Sequence, residues 1–485
     1  MKLINIGNEI KIILLALWFL MGMPSHSLAI ELANVSEAHM RNVALYPEIA
    51  RNLINRRMFF TAIPFLKEYM TANRGRDLSV IDSMIDDVTT EVGVKQFEVL
   101  PAEILSRSSS PVIRYILAKK YFRQRKYAQA LEKVVDNVPS NHPILPFVLQ
   151  LRASIYSVAG NAADAIVTYK ECILASKKQM GREGDRDRIR QLEVNRDYCI
   201  IGIPRTEFAS GQYDSAYSNY LDLPKESPVW PEILFEEAWN SFYLRDYNRT
   251  LGKLVTYKAP VFEHIFNPEI DSLRALTYME MCMWDDAKKV VEDFYAAYQS
   301  NFVSLEREYK RMGNNYQYYY NSAKEARDGV RRGNPLFDQI LSAIVKDPIF
   351  IEILNSFQRG EYELNFIKEI NNVNLKQALG EGVRDALLLQ RDLIGAYVKT
   401  SLGNYLDQVD KTLQSMSYVK LEILGKKKES IISRPYGNES EGARERGDYI
   451  FLKRTDKQYF WDFIGEFWAD ELGDYVFALK SECEI

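Results

Sequence analysis

An internal repeat is the feature that most constrains the fold of this chain. Five stretches of twenty residues align without internal gaps, at residues 116–135, 151–170, 202–221, 236–255 and 273–292. Each contains a run of apolar residues at helical spacing, a short polar turn and a second such run. Because self-similarity at a fixed period is the signature of repeat architectures, the pattern predicts an all-α fold built from helix-turn-helix units.

One small residue in the second helix of each unit sets the register of the repeats. With an earlier candidate included, these anchor residues are Ala62, Ala130, Ala165, Ala216, Thr250 and Ala287. The intervals between them are 68, 35, 51, 34 and 37 residues, so three lie near one period and the first lies near two. Residues twelve positions earlier are mostly small, and residues four positions later are large and apolar. This alternation lets paired helices approach closely.

The stretch at residues 117–131 carries the pattern most completely. Its key residues are Leu117, Ala118, Tyr121, Tyr127, Ala130 and Leu131. On these positions the chain resembles the tetratricopeptide-repeat (TPR) family, whose helix-turn-helix units recur at about 34 residues. The resemblance covers about residues 43–300. It implies a right-handed superhelical solenoid that binds a protein or an extended peptide in its concave groove, without a cofactor.

The sequence departs from the family pattern in several places. Pro204 predicts a kinked or shortened first helix, and Thr250 replaces the small anchor residue. The 51-residue interval exceeds one period by 17 residues, and its charged stretch at residues 177–197 predicts a solvated loop with an added helical stretch. A further unit at residues 76–110 is indicated by spacing alone.

If the family register holds, the first helix of each unit lines the groove. The predicted partner-binding residues are Tyr115, Lys119, Phe122, Arg123, Arg205, Phe208, Trp239, Phe242, Tyr243 and Glu280. Aromatic and arginine side chains contribute much of the binding energy at protein interfaces. The alternative is that Phe122, Phe208 and Phe242 belong to the cores of their own hairpins.

Composition divides the whole chain into five regions. Residues 1–29 are a predicted signal peptide, residues 30–300 contain the repeats, and residues 301–335 form a charged, Tyr-rich connecting segment. Residues 336–432 have the spacing of one or two long amphipathic helices, and their glycines favour helices packed on the solenoid over a dimerisation rod. Residues 433–485 form a linker and a C-terminal module in which short β-branched and aromatic runs predict a small β-hairpin.

The C-terminal stretch at residues 459–475 interleaves seven aromatic with five acidic residues. One hypothesis is a cap, because the last unit of a solenoid leaves an apolar face uncovered. The apolar side of that cap would be formed by Tyr459, Phe460, Trp461, Phe463, Phe467 and Trp468. The alternative is a site that binds or hydrolyses cell-wall glycan, in which Glu466 shares a helical face with Asp462 and Asp470.

The N-terminus predicts export. Lys2 and Lys11 precede an apolar run from Ile12 to Met23, and Ser27-Leu28-Ala29 follows with small residues at the positions that a signal peptidase reads. We therefore expect cleavage after Ala29; the alternative is an uncleaved anchor. No later apolar run is long enough to span a bilayer, which predicts a soluble mature chain in the periplasm.

Export would place all four cysteines in an oxidising compartment. Cys172, Cys199, Cys282 and Cys483 can form two disulfides in three alternative pairings, or remain buried thiols.

Composition and motifs exclude several classes of function. The net charge is −4, from 62 basic and 66 acidic residues, so no strong positive field attracts nucleic acid. No HExxH, Gly-rich phosphate loop or GxSxG motif occurs, which predicts no enzyme activity, no cofactor and no metal. The sequence thus predicts an exported, non-catalytic interaction scaffold of a bacterial cell envelope. A third hypothesis is a membrane-assembly factor held at the outer membrane by its partners.

Overall fold

The computed structural model describes residues 42–73, 78–135, 138–433, 454 and 456–483, so the predicted signal peptide lies outside the described residues. Within these ranges the chain forms 19 α-helices and one pair of two-residue strands. The predicted all-α fold class is confirmed. In the same ranges, no helix combines the length and the apolar character that a bilayer span requires.

The elements are named here in chain order. The helices are α1 (Tyr46–Asn55), α2 (Phe59–Ala72), α3 (Ser79–Val92), α4 (Lys95–Glu98), α5 (Ala102–Leu105), α6 (Pro111–Arg123), α7 (Tyr127–Val135), α8 (Leu145–Val158), α9 (Ala162–Met180), α10 (Arg186–Ala209), α11 (Tyr213–Tyr220), α12 (Trp230–Tyr243), α13 (Tyr247–Thr256), α14 (Glu269–Glu280), α15 (Trp284–Met312), α16 (Tyr316–Arg327), α17 (Pro335–Ile344), α18 (Pro348–Ile367) and α19 (Val373–Ser433). The strands are β1 (Trp461–Asp462) and β2 (Tyr475–Val476).

The chain divides into two compact units. The first consists of Met1–Leu117 with Glu352–Leu393, and the second consists of Ala118–Ile351 with Ile394–Ile485.

In the first unit, a distant carboxylate caps helix α2. Glu363 of α18 accepts hydrogen bonds from the Phe60 N–H at 3.0 Å and from the N–H and hydroxyl of Thr61 at 2.7 Å each. Met58, which precedes α2, provides no side-chain cap. Glu363 therefore satisfies backbone donors that the helix leaves open. Burial raises the pKa of Glu363, and the hydrogen bonds from residues 60 and 61 oppose that rise.

Six helix-turn-helix hairpins share one turn geometry. They are α1–α2, α6–α7, α8–α9, α10–α11, α12–α13 and α14–α15. In each three-residue turn the middle residue has a positive φ, between 57° and 79°: Arg57, Arg125, Gly160, Gly211, Arg245 and Cys282. The next N–H donates to a carbonyl five residues earlier, as from Lys126 to Tyr121 at 2.9 Å and from Met283 to Tyr278 at 2.9 Å. These bonds are those of the Schellman motif, which satisfies the last carbonyls of a helix.

The anchor residues occupy equivalent places in the six hairpins. Each is the fourth residue of its second helix, and each is 0% exposed: Ala62, Ala130, Ala165, Ala216, Thr250 and Ala287. The residues twelve positions earlier are also buried: Ala50, Ala118, Ala153, Pro204, Ala238 and Ala275. The small residues therefore lie where the two helices of a hairpin pack together.

One local prediction needs correction: Pro204 does not shorten the first helix, because α10 continues through it to Ala209. The charged interval contains the predicted loop, exposed at residues 181–185, and its added helical residues lengthen α9 and α10. The weak unit at residues 76–110 contains α3, followed only by the four-residue helices α4 and α5.

The predicted long-helix region contains one helix of 61 residues, α19. The predicted connecting segment at residues 301–335 is largely helical, because α15 continues to Met312 and α16 follows. Gly395 allows α19 to approach α16 closely: a β-carbon at Gly395 would lie 2.1 Å from the Tyr316 carbonyl oxygen.

The C-terminal strands do not form the expected β-hairpin. β1 and β2 pair in parallel, with Trp461 opposite Tyr475 and Asp462 opposite Val476. A parallel pair requires a longer connection than a hairpin turn, and here residues 463–474 provide it. β2 packs on α13 in the second unit.

Candidate interaction surface

Three of the predicted groove phenylalanines close the turns of their own hairpins. Ring centroids lie 5.6 Å apart for Phe122 and Tyr127, 5.3 Å apart for Phe208 and Tyr213, and 5.6 Å apart for Phe242 and Tyr247. In each pair the phenylalanine is near the end of the first helix and the tyrosine begins the second. The hairpin-core alternative therefore describes their packing, although all three phenylalanines keep part of their surface exposed.

Two neighbouring hairpins join their rings through Tyr243. The Tyr243 ring stacks on Tyr213 with centroids 5.0 Å apart and an interplanar angle of 17°. Its centroid lies 5.4 Å from that of Phe208 in an edge-on arrangement and 6.1 Å from that of Trp239 in a tilted one. Tyr243 is nevertheless 51% exposed. We call the set Phe208, Tyr213, Trp239, Phe242, Tyr243 and Tyr247 the aromatic strip.

Glu280 lies at one end of the aromatic strip. It is exposed, and its Oε2 accepts a hydrogen bond from the Tyr247 hydroxyl at 3.3 Å. Burial and the negative charge of Glu280 raise the pKa of Tyr247, so this tyrosine remains a hydrogen-bond donor near neutral pH. The structure thus brings together five predicted site residues, namely Phe208, Trp239, Phe242, Tyr243 and, through Tyr247, Glu280.

Arg205 has a different environment from the one expected for a groove residue. Its Nε lies 3.0 Å and 2.9 Å from the two carboxylate oxygens of Glu236, and its guanidinium also binds Glu232. The Tyr220 hydroxyl donates to Glu236 at 3.1 Å. Arg205 therefore ties α10 to α12, and bidentate carboxylate pairing of this kind is strong and directional.

The remaining predicted groove residues lie on α6. Lys119 and Arg123 belong to the second unit and precede the hairpins that carry the aromatic strip. Tyr115 belongs to the first unit. Tyr115 and Lys119 are half-buried, whereas Arg123 is exposed.

A cluster of tyrosines and carboxylates in the second unit has no counterpart in the sequence-based predictions. The Tyr198 hydroxyl donates to Glu232 at 3.4 Å, and Asp347 forms a hydrogen bond with Tyr397 of α19. Burial raises the pKa of Tyr198 and Tyr397, and the negative charge of Asp347 adds to both shifts. These residues are too far apart along the chain for any repeat or motif to connect them.

Helix α19 also packs on the last hairpin of the second unit. Met416, Val419 and Ile423 share a buried cluster with Ala275 of α14 and Phe294 of α15. The hydroxyl groups of Ser272 and Ser415 lie 3.2 Å apart. The face of α14 that the resemblance assigned to the groove is therefore partly covered by the chain itself.

The C-terminal module lies on α12 and α13, rather than over the end of the last repeat. Leu472 and Tyr475 share a buried cluster with Trp230 and Leu234 of α12. Phe463 and Phe467 pack against that cluster. The module therefore covers an apolar surface, as the cap hypothesis requires, but at a different place. Tyr459, Trp461 and Trp468, which the hypothesis assigned to the inner side, are exposed.

Backbone contacts and a disulfide hold the module in place. The Asn248 side chain accepts from the Leu479 N–H at 2.9 Å and donates to the Leu479 carbonyl at 3.1 Å. The Gly473 N–H donates to the Thr256 hydroxyl at 3.1 Å. Disulfides join Cys172 to Cys199 and Cys282 to Cys483, which selects one of the three pairings. The second disulfide ties the module to the turn between α14 and α15.

The carboxylates of the module do not share a helical face. No helix occurs at residues 463–474, so the predicted alignment of Glu466 with Asp462 and Asp470 is wrong. Glu466 and Asp470 are exposed. Over the ranges that the structure describes, no three His, Cys, Asp or Glu residues group in a way that could hold a metal ion.

No family model matches the chain. No curated protein matches it at a significant level.

Proposed function

We propose that this chain is a non-catalytic scaffold of the bacterial cell envelope that binds a protein or an extended peptide at the aromatic strip. The observation that carries the proposal is Tyr243, half-exposed and in contact with aromatic rings from two hairpins. Exposed aromatic side chains that are already ordered bind with little further loss of conformational entropy. Tyrosine and tryptophan are also enriched among the residues that dominate binding energy.

The six equivalent hairpins support a TPR-like solenoid as the framework of this surface. Consecutive helices of the second unit pack on each other, as α8 does on α9 and α12 on α13. Contacts also join next-but-one helices, as between α8 and α10 or α12 and α14. This nearest-neighbour pattern is typical of repeat proteins, in which each unit contacts only its neighbours.

Affinity purification after envelope cross-linking tests the proposal. Wild type should recover a specific protein, and Tyr243→Ala or Trp239→Ala should reduce that recovery. Tyr362→Ala is the matched control, because Tyr362 is an exposed tyrosine of the first unit and lies outside the strip. Arg123→Ala tests the predicted groove outside the strip. Equal recovery by wild type and both strip variants would contradict the proposal.

The envelope location belongs to the same proposal. The Lys-flanked apolar segment with Ser27-Leu28-Ala29 supports export and cleavage. Cell fractionation with N-terminal sequencing of the mature chain tests it: a periplasmic protein that begins at Ile30 is expected. Recovery with the outer membrane that is lost when the partner is deleted would favour the membrane-assembly hypothesis.

Glycan binding by the C-terminal module is the second candidate. The exposure of Trp461 and Trp468 favours it, because indole faces stack on sugars. A peptidoglycan pull-down and a turnover assay with wild type and Glu466→Gln test this candidate. Absence of both binding and turnover by wild type would remove it.

A further inference from the structure

The C-terminal module exposes four large apolar side chains to solvent. Tyr459 is 67% exposed, Trp461 47%, Ile464 70% and Trp468 57%. These residues fall within ten positions of one another on a module that packs on α12 and α13. Exposed apolar patches on an otherwise polar surface often mark interaction sites.

The two tryptophans are held in place by one buried tyrosine. Trp461 lies opposite Tyr475 in the strand pair, and the Trp468 N–H donates to the Tyr475 hydroxyl at 2.8 Å. Tyr475 is buried, and the rings of Phe463 and Phe467 lie 5.3 Å and 6.1 Å from its ring. The backbones of Trp461 and Trp468 are therefore both fixed beside the same buried residue, Tyr475.

The charged residues within residues 459–471 all have one sign. This stretch contains Asp462, Glu466, Asp470 and Glu471 and no lysine or arginine. The module's contacts with the repeats include two lysine pairs, Lys457 with Asp222 and Lys225 with Asp474, and Lys225 also donates to the Asp470 carbonyl oxygen at 3.2 Å. Glu466 and Asp470 remain exposed. We call Tyr459, Trp461, Ile464, Glu466, Trp468 and Asp470 the module face.

We propose that the module face binds a basic segment of a partner protein. Lysine and arginine side chains are attracted to the faces of tryptophan and tyrosine, and neighbouring carboxylates add complementary charge that guides association. A nucleic acid or another polyanion would be repelled by the same carboxylates. A neutral glycan would stack on the indoles and donate hydrogen bonds to Glu466 and Asp470, but it would gain no charge attraction from them. The proposal is independent of the aromatic strip.

Fluorescence anisotropy with the full-length protein tests the proposal. The probe is a fluorescein-labelled peptide of alternating lysine and serine, and the matched probe has glutamate in place of lysine. Wild type should bind the lysine peptide, and added salt should weaken binding because the charges are exposed. The double variant Trp461→Ala/Trp468→Ala should bind about tenfold more weakly, since two cation–π contacts are lost.

A second variant separates charge from folding. Glu466→Gln/Asp470→Asn keeps the shape of the module and should also weaken lysine-peptide binding. Tyr418→Ala, which removes an exposed aromatic of α19, should leave binding unchanged. Circular dichroism melting curves check that each variant folds.

Four results would overturn the proposal. The first three are equal binding of the lysine and glutamate peptides, wild-type binding by both double variants, and no binding of the lysine peptide at all. If soluble peptidoglycan fragments bind through Trp461 and Trp468 instead, the module face is a glycan surface and the proposal is wrong. Loss of partner capture through Tyr243 would leave these outcomes unchanged.

Discussion

Gly252 of α13 lies against the backbone of Tyr475 in β2, so closely that a β-carbon at Gly252 would come within 1.7 Å of the Tyr475 carbonyl oxygen. A residue with a side chain cannot occupy this helical position unless the C-terminal strand moves away. The absence of a side chain at residue 252 therefore allows the module to pack on the repeats.

Gly252→Ala should destabilise the protein, although alanine favours helix more than glycine does. Overpacking of this kind typically costs about 1–3 kcal/mol. Gly425→Ala is the matched control, because Gly425 is also helical and a β-carbon there would meet no neighbour within 4 Å. It should be neutral or stabilising by up to about 1 kcal/mol. Chemical denaturation of both variants decides between these expectations; equal stability of the two would show that β2 does not lie on α13.

The ion pair of Lys253 and Glu237 is buried beneath the module. Both side chains are 4% exposed, and the Lys253 ammonium also lies 3.4 Å from the Gly473 carbonyl oxygen. Glu237→Gln should cost about 3–5 kcal/mol because it leaves a buried, uncompensated charge. Lys253→Met/Glu237→Leu should recover much of that loss. A double variant less stable than Glu237→Gln, measured by urea denaturation, would contradict this account.

The stabilisation that the Lys253–Glu237 ion pair provides should depend on pH. Burial lowers the pKa of Lys253, but the charge of Glu237, the hydrogen bond to it and the charges of Tyr217 and Asp474 together outweigh that effect, so the folded pKa is raised. Stabilisation from Lys253 is therefore complete below its unfolded pKa and is lost as the pH rises through the folded pKa. The stability difference between wild type and Lys253→Met/Glu237→Leu should be constant from about pH 7 to pH 9, below the unfolded value of about 10.4. A marked decline within that interval, in denaturant titrations, would show that the pair is not formed.

The two disulfides should stabilise different parts of the protein. Cys282–Cys483 closes a separation of 201 residues and ties down the module, whereas Cys172–Cys199 closes 27 residues between α9 and α10. Each should contribute about 3–5 kcal/mol, more for the longer loop. Limited trypsin digestion should cleave the module first at Lys457 or Lys480 in Cys282→Ser/Cys483→Ser, but not in Cys172→Ser/Cys199→Ser. The same cleavage rate in both variants would contradict the tethering role.

Substitutions at equivalent positions of two hairpin turns should have opposite effects on stability. Gly211 has φ +75°, so Gly211→Ala should cost about 1–2 kcal/mol. Arg125 occupies the equivalent position with φ 58°, so Arg125→Gly should be neutral or stabilising. Thermal unfolding of both variants tests whether the six turns are equivalent; destabilisation by Arg125→Gly larger than that by Gly211→Ala would show that they are not.

The hairpins were predictable because their signals are local. Ala130 and Ala216 recur with a neighbouring turn, and both are buried where the register places them. Phe208 and Phe242 were harder to assign, since one side chain both closes a turn and contributes to an exposed strip. No single-sequence pattern separates these two roles.

The features that the sequence did not predict depend on contacts between residues far apart in the chain. Lys253 pairs with Glu237 under Gly473, and Asp347 meets Tyr397, through contacts that no period or spacing encodes. The same holds for Cys282 and Cys483, whose pairing depends on where the module lies. The parallel pairing of β1 and β2 was not predictable either, because local sequence signals indicate hairpins and not parallel pairs.

Site-specific photo-crosslinking in living cells that produce the protein tests the central claim most directly. A photoreactive phenylalanine analogue would replace Tyr243 in one strain and the exposed Tyr362 in another. We expect position 243 to yield a discrete covalent adduct with a partner protein and Trp239→Ala to diminish this adduct, while position 362 does not yield it. No adduct at position 243, or the same adduct at both positions, would contradict the claim that the aromatic strip is the partner-binding surface.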